Sequence, residues 1–221
     1  MGTQSVLGRM LVLRVLEPKP SAPASVEQQI QFSRGERIVA SPTQEELDLS
    51  KLLLPIQADD HVQGPPEAAY TLVEYGDYEC PGCGRLFITI RELCGRLGDK
   101  LRLVFRHYPR SGVHPHAQQA AEAAESAGAQ GRFWEMHDLL FANQNALAKK
   151  DLFRYAEQLS LDMQRFRKDL KTGVYRDLVR EDFRRGVANG VYGTPALFIN
   201  GIRHDGAQDA DTLLAKLTGA S

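Results

Sequence analysis

Cysteine is scarce in this sequence, with three residues in a chain of 221. So few cysteines cannot cross-link a fold of this size, and an odd number leaves one without a partner in the chain. Two of them, Cys80 and Cys83, are nevertheless separated by only two residues. In a chain this poor in cysteine, the C-x-x-C spacing indicates redox chemistry or metal binding rather than a disulfide scaffold.

An excess of charge of one sign is also lacking. The chain has 27 basic and 28 acidic residues, which leave a formal net charge of −1. Without a long-range field, neither nucleic acid nor an anionic membrane is favoured as a partner. Apolar residues make up 43% of the chain and charged residues 25%, which is ordinary for a globular protein.

Long hydrophobic runs are missing, and none approaches the roughly 18 apolar residues that a membrane-spanning helix needs. The most apolar stretch near the N-terminus, residues 6–16, contains Arg9 and Arg14 and does not resemble a secretory signal. We therefore expect a cytoplasmic protein without a membrane partner, or a periplasmic one if the true N-terminus is missing from this sequence.

The chain divides into two parts by its patterning. Residues 1–60 contain scattered prolines and little sustained periodicity, so we expect an N-terminal tail or docking arm. A short helix is predicted within this arm from Thr43, where Glu46 completes a capping-box pattern. The folded domain is expected over residues 61–221.

Hydrophobic periodicity predicts that this domain belongs to the α/β class. A β-rich run at 70–75 ends at Gly76, and an apolar stripe of helical spacing extends from Cys80 to about Leu97. A second strand is predicted at 101–105. A strand–helix–strand order of this kind implies that the two strands pair in parallel.

A helical insertion is predicted next, at about 115–190. Apolar residues recur there at spacings of three and four, and Asp151 and Asp162 are positioned to cap two of its helices. The chain then continues with three predicted elements: a strand at 196–199, a two-residue hairpin turn at Asn200–Gly201 and a final helix at about 208–217.

The position of the dithiol suits nucleophilic chemistry. A thiol attacks only as the thiolate, and Cys80 falls where a strand gives way to a helix, whose unpaired N–H groups favour an anion. Pro81 fits the first helical turn because it has no N–H, and Cys83 lies one turn further. Asp77 and Glu79 would oppose ionisation of Cys80 if they lay near it. We expect a moderately acidic thiol.

Metal binding is the alternative use of such a pair. Zinc would need two more ligands, and the sequence has no second cysteine pair. His107, His114 and His116 are available, but their spacing matches no usual zinc pattern, so we expect no metal. Cys94 lies about three turns beyond Cys83, too far to join the dithiol, and is predicted to be a small buried residue.

Two motifs resemble the DsbA-like branch of the thioredoxin superfamily. One is EYGDYECPGC, from Glu74 to Cys83, and the other is Gly193–Thr194–Pro195, far downstream. The segment FWEMHDLLF, at 133–141, is also similar to that branch. The resemblance covers about residues 68–218 and implies a thioredoxin fold with an inserted helical subdomain.

The resemblance implies a role for each motif residue. Cys80 would be the attacking cysteine, Cys83 would resolve the mixed disulfide, and Pro195 would be a cis-proline lying against the dithiol. The backbone of Thr194 would then pair with an extended substrate. Glu74 would be a buried acid that exchanges a proton with Cys83. The alternatives are a trans proline at a strand entry and an outward-facing glutamate.

The expected function is therefore thiol–disulfide exchange with cysteines of substrate proteins or peptides, with no cofactor beyond a redox-active Cys80–Cys83 disulfide. The Pro81–Gly82 dipeptide lacks the histidine of the best-known oxidases of this branch. This difference favours a reductase or isomerase, with glutathione or a thioredoxin-type reductant as a further partner. Two alternatives remain: a glutathione-linked transferase or isomerase of the same fold, and a non-catalytic redox-sensing, peptide-binding module.

Overall fold

The structure is a computed structural model, and its described residues are 55–219. The helix predicted from Thr43 and nearly all of the predicted arm at 1–60 lie outside these residues. Within them, the thioredoxin-type α/β architecture expected from the resemblance is confirmed. No helix of the described residues combines the length and apolar character that crossing a membrane requires.

A mixed five-stranded sheet forms the centre of the described residues, in the order β1-β3-β2-β4-β5. The predicted parallel pairing of β2 with β3 is confirmed, while β4 runs antiparallel to β2 and β5 antiparallel to β4. The central strand β2 therefore has a neighbour on each side. The strands are β1, His61–Gln63; β2, Tyr70–Gly76; β3, Leu101–His107; β4, Ala196–Ile199; and β5, Ile202–His204.

The edge strand β1 was not predicted. It has only three residues, which are too few to show an alternation of apolar and polar side chains. It is held by antiparallel pairing to β3, in which Gln63 lies opposite Leu103. The extended conformation of β1 therefore depends on its hydrogen bonds to β3, which is distant in the chain, rather than on the preferences of its own residues.

Helices flank the sheet and form the inserted block. The predicted first helix, the helical insertion predicted at about 115–190 and the predicted final helix are all present. A short 3-10 turn, Gly98–Lys100, separates the first helix from β3. The helices are α1, Pro81–Leu97; α2, Ala117–Gly128; α3, Phe133–Ala142; α4, Lys149–Gln158; α5, Met163–Thr172; α6, Arg176–Ala188; and α7, Ala210–Thr218.

The two faces of the sheet bury different sets of side chains. Leu72 of β2 packs with Leu86 and Ile90 of α1 and with residues of α7. Val73 of β2 points the other way, because successive side chains of a strand alternate, and packs with Phe183 of α6. Alternation therefore places Glu74 of β2 on the same face as Leu72, the face that α1 covers.

Helix ends explain one correct and one incorrect expectation. Asp162 caps α5, as predicted, by accepting hydrogen bonds from the backbone N–H groups of Gln164 and Arg165. Asp151 does not cap α4, because the helix begins two residues earlier and its N-cap is Ala148. The prediction was wrong because Lys149 and Lys150 extend the helix toward its N-terminus without an apolar signal.

A buried ion pair ties the segment before β1 to the sheet. Arg106 of β3 donates to both carboxylate oxygens of Asp60, at 2.8 and 2.6 Å, and both side chains are fully buried. Arg106 also donates to the Tyr75 hydroxyl and to the Pro55 carbonyl oxygen. The compact fold thus includes residues just before the boundary predicted at 60/61.

We expect Asp60→Ala to lower the free energy of unfolding by about 3 kcal/mol or more, because it leaves the Arg106 guanidinium buried without its counter-charge. Asp59→Ala is the matched control, since Asp59 is half-exposed and pairs with Arg185 at the surface. It should cost about 1 kcal/mol at most. Urea denaturation measures both variants, and equal losses would contradict this account.

Candidate active site

The dithiol lies where β2 has ended and α1 begins. Cys80 is the N-cap of α1 with extended backbone angles, and Pro81 is its first residue. Cys83 is fully buried, whereas Cys80 retains an exposed fraction of 7%. Both cysteines are free thiols, so the structure represents the reduced state. Only one of the two sulfurs is accessible to an incoming molecule.

The loop before β4 lies directly against this dithiol. The Thr194–Pro195 peptide bond is cis. The carbonyl oxygen of Thr194 lies 3.4 Å from Cys80 Sγ and accepts a hydrogen bond from it when the thiol is neutral. A Cβ added to Gly82 would lie 2.9 Å from Pro195 Cδ, so the loop approaches the dithiol as closely as a glycine there permits.

Cys80 is the acidic thiol of the pair. Its pKa is lowered to about 5, chiefly because the Cys83 thiol donates a hydrogen bond to it. Burial opposes this effect, while the Thr194 side chain and the backbone N–H groups of Cys83 and Gly82 contribute to it. With this pKa, Cys80 is ionised at neutral pH.

Cys83 has the opposite tendency. Burial raises its pKa well above the usual range, as do the hydrogen bond to Cys80 and the negative charge of Glu74. The backbone N–H of Asp77, 3.4 Å from Cys83 Sγ, opposes these effects. The two sulfurs are thus differentiated into an ionised, accessible one and a protonated, buried one.

Glu74 is a buried carboxyl in the central strand. It is 2% exposed, and its Oε1 has no hydrogen-bond partner among the described residues. It shares the α1 face of β2 with Leu72, on the same side as the dithiol. Burial raises its pKa to about 8, and the Cys80 thiolate adds to the shift. The group therefore takes up or releases a proton near neutral pH.

Asp77 and Glu79, the acids that precede the dithiol, were considered as groups that could oppose ionisation of Cys80, but their contacts are with the loop at 110–116. Asp77 accepts hydrogen bonds from the backbone N–H of Arg110 and lies 2.8 Å from His114 Nδ1. Glu79 accepts from the backbone N–H of His116 at 2.6 Å and contacts its ring at 2.8 Å. Hydrogen bonds and burial dominate the Cys80 pKa instead. The two acids hold the 110–116 loop beside the active site.

Gln144 is a positioning residue that the sequence did not reveal. Its side-chain amide donates to the carbonyl oxygens of Tyr78 and Cys80, at 2.8 and 2.9 Å. A side chain at Gly84 would collide with it. Gln144 follows α3 in the chain, and no local pattern connects it with the dithiol.

One group among the described residues brings together side chains that a metal could use. Atoms of His61, His107 and Glu125 lie within 4.8 Å of one another. Burial would raise the pKa of Glu125, but hydrogen bonds from the two histidines lower it to about 2. His107 Nδ1 is buried without a partner, so binding a metal through Nε2 would leave its N–H unsatisfied. The cluster fits a hydrogen-bonded bridge better than a metal centre.

The third cysteine and the aromatic helix lie outside the site. Cys94 is half-buried rather than buried, because it sits at the margin of the core between α1 and the sheet. Burial raises its pKa. His137 is buried among aromatic rings and contacts the Tyr78 hydroxyl, which is a packing role.

Comparison with known proteins identifies relatives of two kinds. A family model described as thioredoxin matches residues 57–218. Among curated proteins, the Na(+)/H(+) antiporter NhaA 1 of Salinispora arenicola is 49% identical over 172 residues, which are 76% of this chain and 26% of the antiporter. The chain therefore spans about a quarter of the length of the curated relatives it matches.

Two solved structures have a similar fold. A thioredoxin-like oxidoreductase from Silicibacter pomeroyi has a TM-score of 0.66 and 24% identity, covering 74% of this chain and 93% of its own. Oxidised BdbD from Bacillus subtilis has a TM-score of 0.65 and 20% identity, covering 72% and 90%. At these identities the likeness establishes a shared fold.

The hydrogen bond between the sulfurs leads to a prediction for the thiolate. Ultraviolet absorbance of the thiolate should titrate near pH 5 in the reduced protein. Cys83→Ala should raise that midpoint by about 1–2 units, because a hydrogen bond to a charged group contributes about 1.5–3 kcal/mol. Cys83→Ser keeps a donor and should shift it less. Equal midpoints for the Ala and Ser variants would rule out the hydrogen bond as the main cause.

The raised pKa of Glu74 predicts a pH-dependent stability. Between about 4.5 and 8 the native carboxyl keeps its proton while the unfolded chain loses it, so the free energy of unfolding falls as pH rises. The fall is at most about 5 kcal/mol. The test uses a Cys80→Ser background, because the lowered thiol pKa makes stability rise over nearly the same range.

The control for this measurement is the Glu74→Gln, Cys80→Ser double variant. Urea denaturation at several pH values measures how the free energy of unfolding changes with pH. From pH 5 to 8 it should fall more steeply in Cys80→Ser than in the double variant. If both proteins lost stability equally over this range, Glu74 would not be the group that titrates.

Proposed function

The chain belongs to the thioredoxin family, and on that premise we propose that it is a thiol–disulfide oxidoreductase acting through Cys80 and Cys83. The observation that carries the proposal is the opposite ionisation of the two sulfurs, one accessible thiolate and one buried thiol, beside a loop carbonyl 3.4 Å away. This is the arrangement that disulfide exchange requires, because one sulfur must attack the substrate while the other stays protonated until it resolves the mixed disulfide.

The first step is attack of the Cys80 thiolate on one sulfur of a substrate disulfide. A bond forms between Cys80 Sγ and that sulfur as the substrate S–S bond breaks, and the other substrate sulfur leaves as a thiolate. The low pKa of Cys80 supplies the nucleophile at neutral pH. The product is a mixed disulfide between enzyme and substrate.

The second step releases the substrate. Cys83 loses its proton and attacks Cys80 Sγ, so that the Cys80–Cys83 disulfide forms and the second substrate sulfur leaves as a thiolate. Two electrons have then passed from the dithiol to the substrate. We assign the proton of Cys83 to the ionised form of Glu74, which with a pKa of about 8 is the minor form at neutral pH and which influences Cys83 by its charge.

Substrate binding is assigned to the loop at Thr194–Pro195. Once Cys80 Sγ is bonded to the substrate sulfur, the backbone of Thr194 lies next to the substrate chain. An extended segment can pair with it in the manner of an added strand. Such pairing uses main-chain groups and therefore accepts many sequences.

We assign the enzyme to the reductase or isomerase direction rather than strong oxidation. Strong oxidants stabilise their reduced form with a thiol pKa of about 3.5, whereas thioredoxin has about 7. The value of about 5 for Cys80 lies between them, so the assignment rests on the Pro81–Gly82 dipeptide, which adds no positive side chain beside the thiolate. Glutathione or a thioredoxin-type protein would return the disulfide to the dithiol.

The test is reduction of insulin by dithiothreitol, followed as turbidity. The wild type should accelerate it, Cys80→Ser should reduce the rate to the uncatalysed one, and Cys94→Ser should match the wild type as a cysteine control. Cys83→Ser should accumulate mixed disulfides with substrate proteins. The mixed disulfide of Glu74→Gln should live about tenfold longer than that of the wild type, or more.

Two results would redirect the assignment. Glutathione conjugation that survives Cys83→Ser, without insulin reduction, would favour a transferase of the same fold. Reversible oxidation of the dithiol without any turnover would favour a redox-sensing, peptide-binding module. A wild type that forms no mixed disulfide in either state would exclude thiol exchange altogether.

A further inference from the structure

A cavity beside the proposed active site is not used by the chemistry above. It has a volume of about 640 Å³ and lies between the loop that follows β3, helix α6 and Tyr192. We call it the arginine groove, after Arg110, Arg176 and Arg180, which line it.

The arginine groove adjoins the loop at which a substrate would bind. A second cavity of about 310 Å³ is lined by Thr194 and Pro195, and Arg110 lines both cavities. Tyr192, in the groove, precedes Thr194 by two residues. A chain advances about 3.3–3.6 Å per extended residue, so a substrate side chain two or three positions from the reactive cysteine can reach the groove.

Apolar side chains form part of its wall. Tyr192 and Val113 are 78% and 61% exposed. Beside them, Phe183 of α6 stacks on Tyr108, with ring centroids 4.3 Å apart. An aromatic or aliphatic side chain of a bound segment would bury these surfaces from water.

The charge of the groove is positive, since three arginines and no carboxylate line it. Arg176 pairs with Glu122 at 3.4 Å and Arg180 with Asp177 at 2.6 Å, both from outside the lining. Both arginine side chains are more than half exposed, although Glu122, the partner of Arg176, is buried. The Arg180–Asp177 pair is exposed at both ends and contributes about 1 kcal/mol at most, so a substrate carboxylate can compete for Arg180.

Arg110 is the arginine best placed to meet a substrate. Its backbone N–H is held by Asp77, and its guanidinium forms no ion pair with any residue of 55–219. It lies where the two cavities join. Asp77 also accepts a hydrogen bond from the backbone N–H of Glu79 at 2.8 Å, so one carboxylate contacts both the turn before the dithiol and the backbone from which this cation extends.

We propose that the arginine groove binds the segment of a substrate protein next to its reactive cysteine and selects segments that carry carboxylate side chains beside an aromatic or aliphatic one. This inference rests on the proposed function and adds its substrate class. Pairing with the Thr194 backbone gives affinity without sequence preference, whereas the groove supplies the preference through charge. Charge of this kind acts mainly on the rate of encounter.

The experiment uses three synthetic peptides, each with one cysteine joined in a mixed disulfide to the chromogenic thiol nitrothiobenzoate. They differ only in having Asp, Ser or Lys at positions two and three from the cysteine, beside a constant Phe. Attack of Cys80 on the peptide sulfur releases the coloured thiolate. The second-order rate constant should be about tenfold higher for the Asp than for the Lys peptide, and the ratio should fall at high salt.

Two variants of one helix separate the groove from general electrostatics. Arg180→Glu alters the groove and should lower the ratio of Asp to Lys rates several-fold. Arg184→Glu makes the same change of charge one turn further along α6, at a residue that pairs with Glu181 and does not line the groove. It should keep the wild-type ratio. Arg110→Glu should have the largest effect, reversing the preference.

The outcomes distinguish this inference from the proposed function. If none of the peptides reacts, the Ser peptide included, thiol exchange is wrong and the substrate class falls with it. If all three react at one rate, or if both variants on α6 lower the ratio equally, only the groove assignment is overturned. An equal rise in all rates in Arg180→Glu would mean that another part of the chain or a second copy fills the groove, which also overturns it.

Discussion

The hydrogen bond from the Cys83 thiol to Cys80 is the interaction on which the active site depends. It is the largest cause of the Cys80 pKa of about 5, and it adds to the burial that raises the pKa of Cys83, so two identical side chains ionise differently. Burial strengthens the difference, because Cys83 is enclosed by the core while Cys80 faces the Thr194 loop. A helix terminus alone favours an anion by about 1 kcal/mol, too little for a shift of this size.

The surrounding fold keeps this pair in place from three directions. Strand β2 carries Glu74 on the face that α1 covers, where burial raises its pKa to about 8. Asp77 and Glu79 hold the 110–116 loop by backbone and histidine hydrogen bonds. Gln144, from the helical insertion, satisfies the carbonyl oxygen of Cys80 itself. The loop that Asp77 and Glu79 hold also lines part of the proposed groove, and this contact would link the dithiol to the substrate recognition that we propose.

The elements that could be predicted are those whose signal lies within one segment. The strand at 70–76, the helices and the Asn200–Gly201 hairpin follow from local periodicity and turn chemistry, and the hairpin residues have the positive φ values that such turns require. The misses share a cause. Strand β1 exists through pairing with β3. The start of α4 was predicted too late because its first residues, Lys149 and Lys150, are not apolar and give no sign of a helix.

The sequence by itself determined the dithiol, its place at a helix start and, through the resemblance, the fold. These properties depend on neighbours in the chain, which a sequence displays directly. Only the tertiary structure decided which sulfur is ionised and which stays protonated, and that Asp77 and Glu79 accept hydrogen bonds from the adjacent loop. It also decided that arginines from two separate segments line one groove. Such properties depend on burial and on hydrogen bonds between residues far apart in the chain, and a spacing of residue types contains neither.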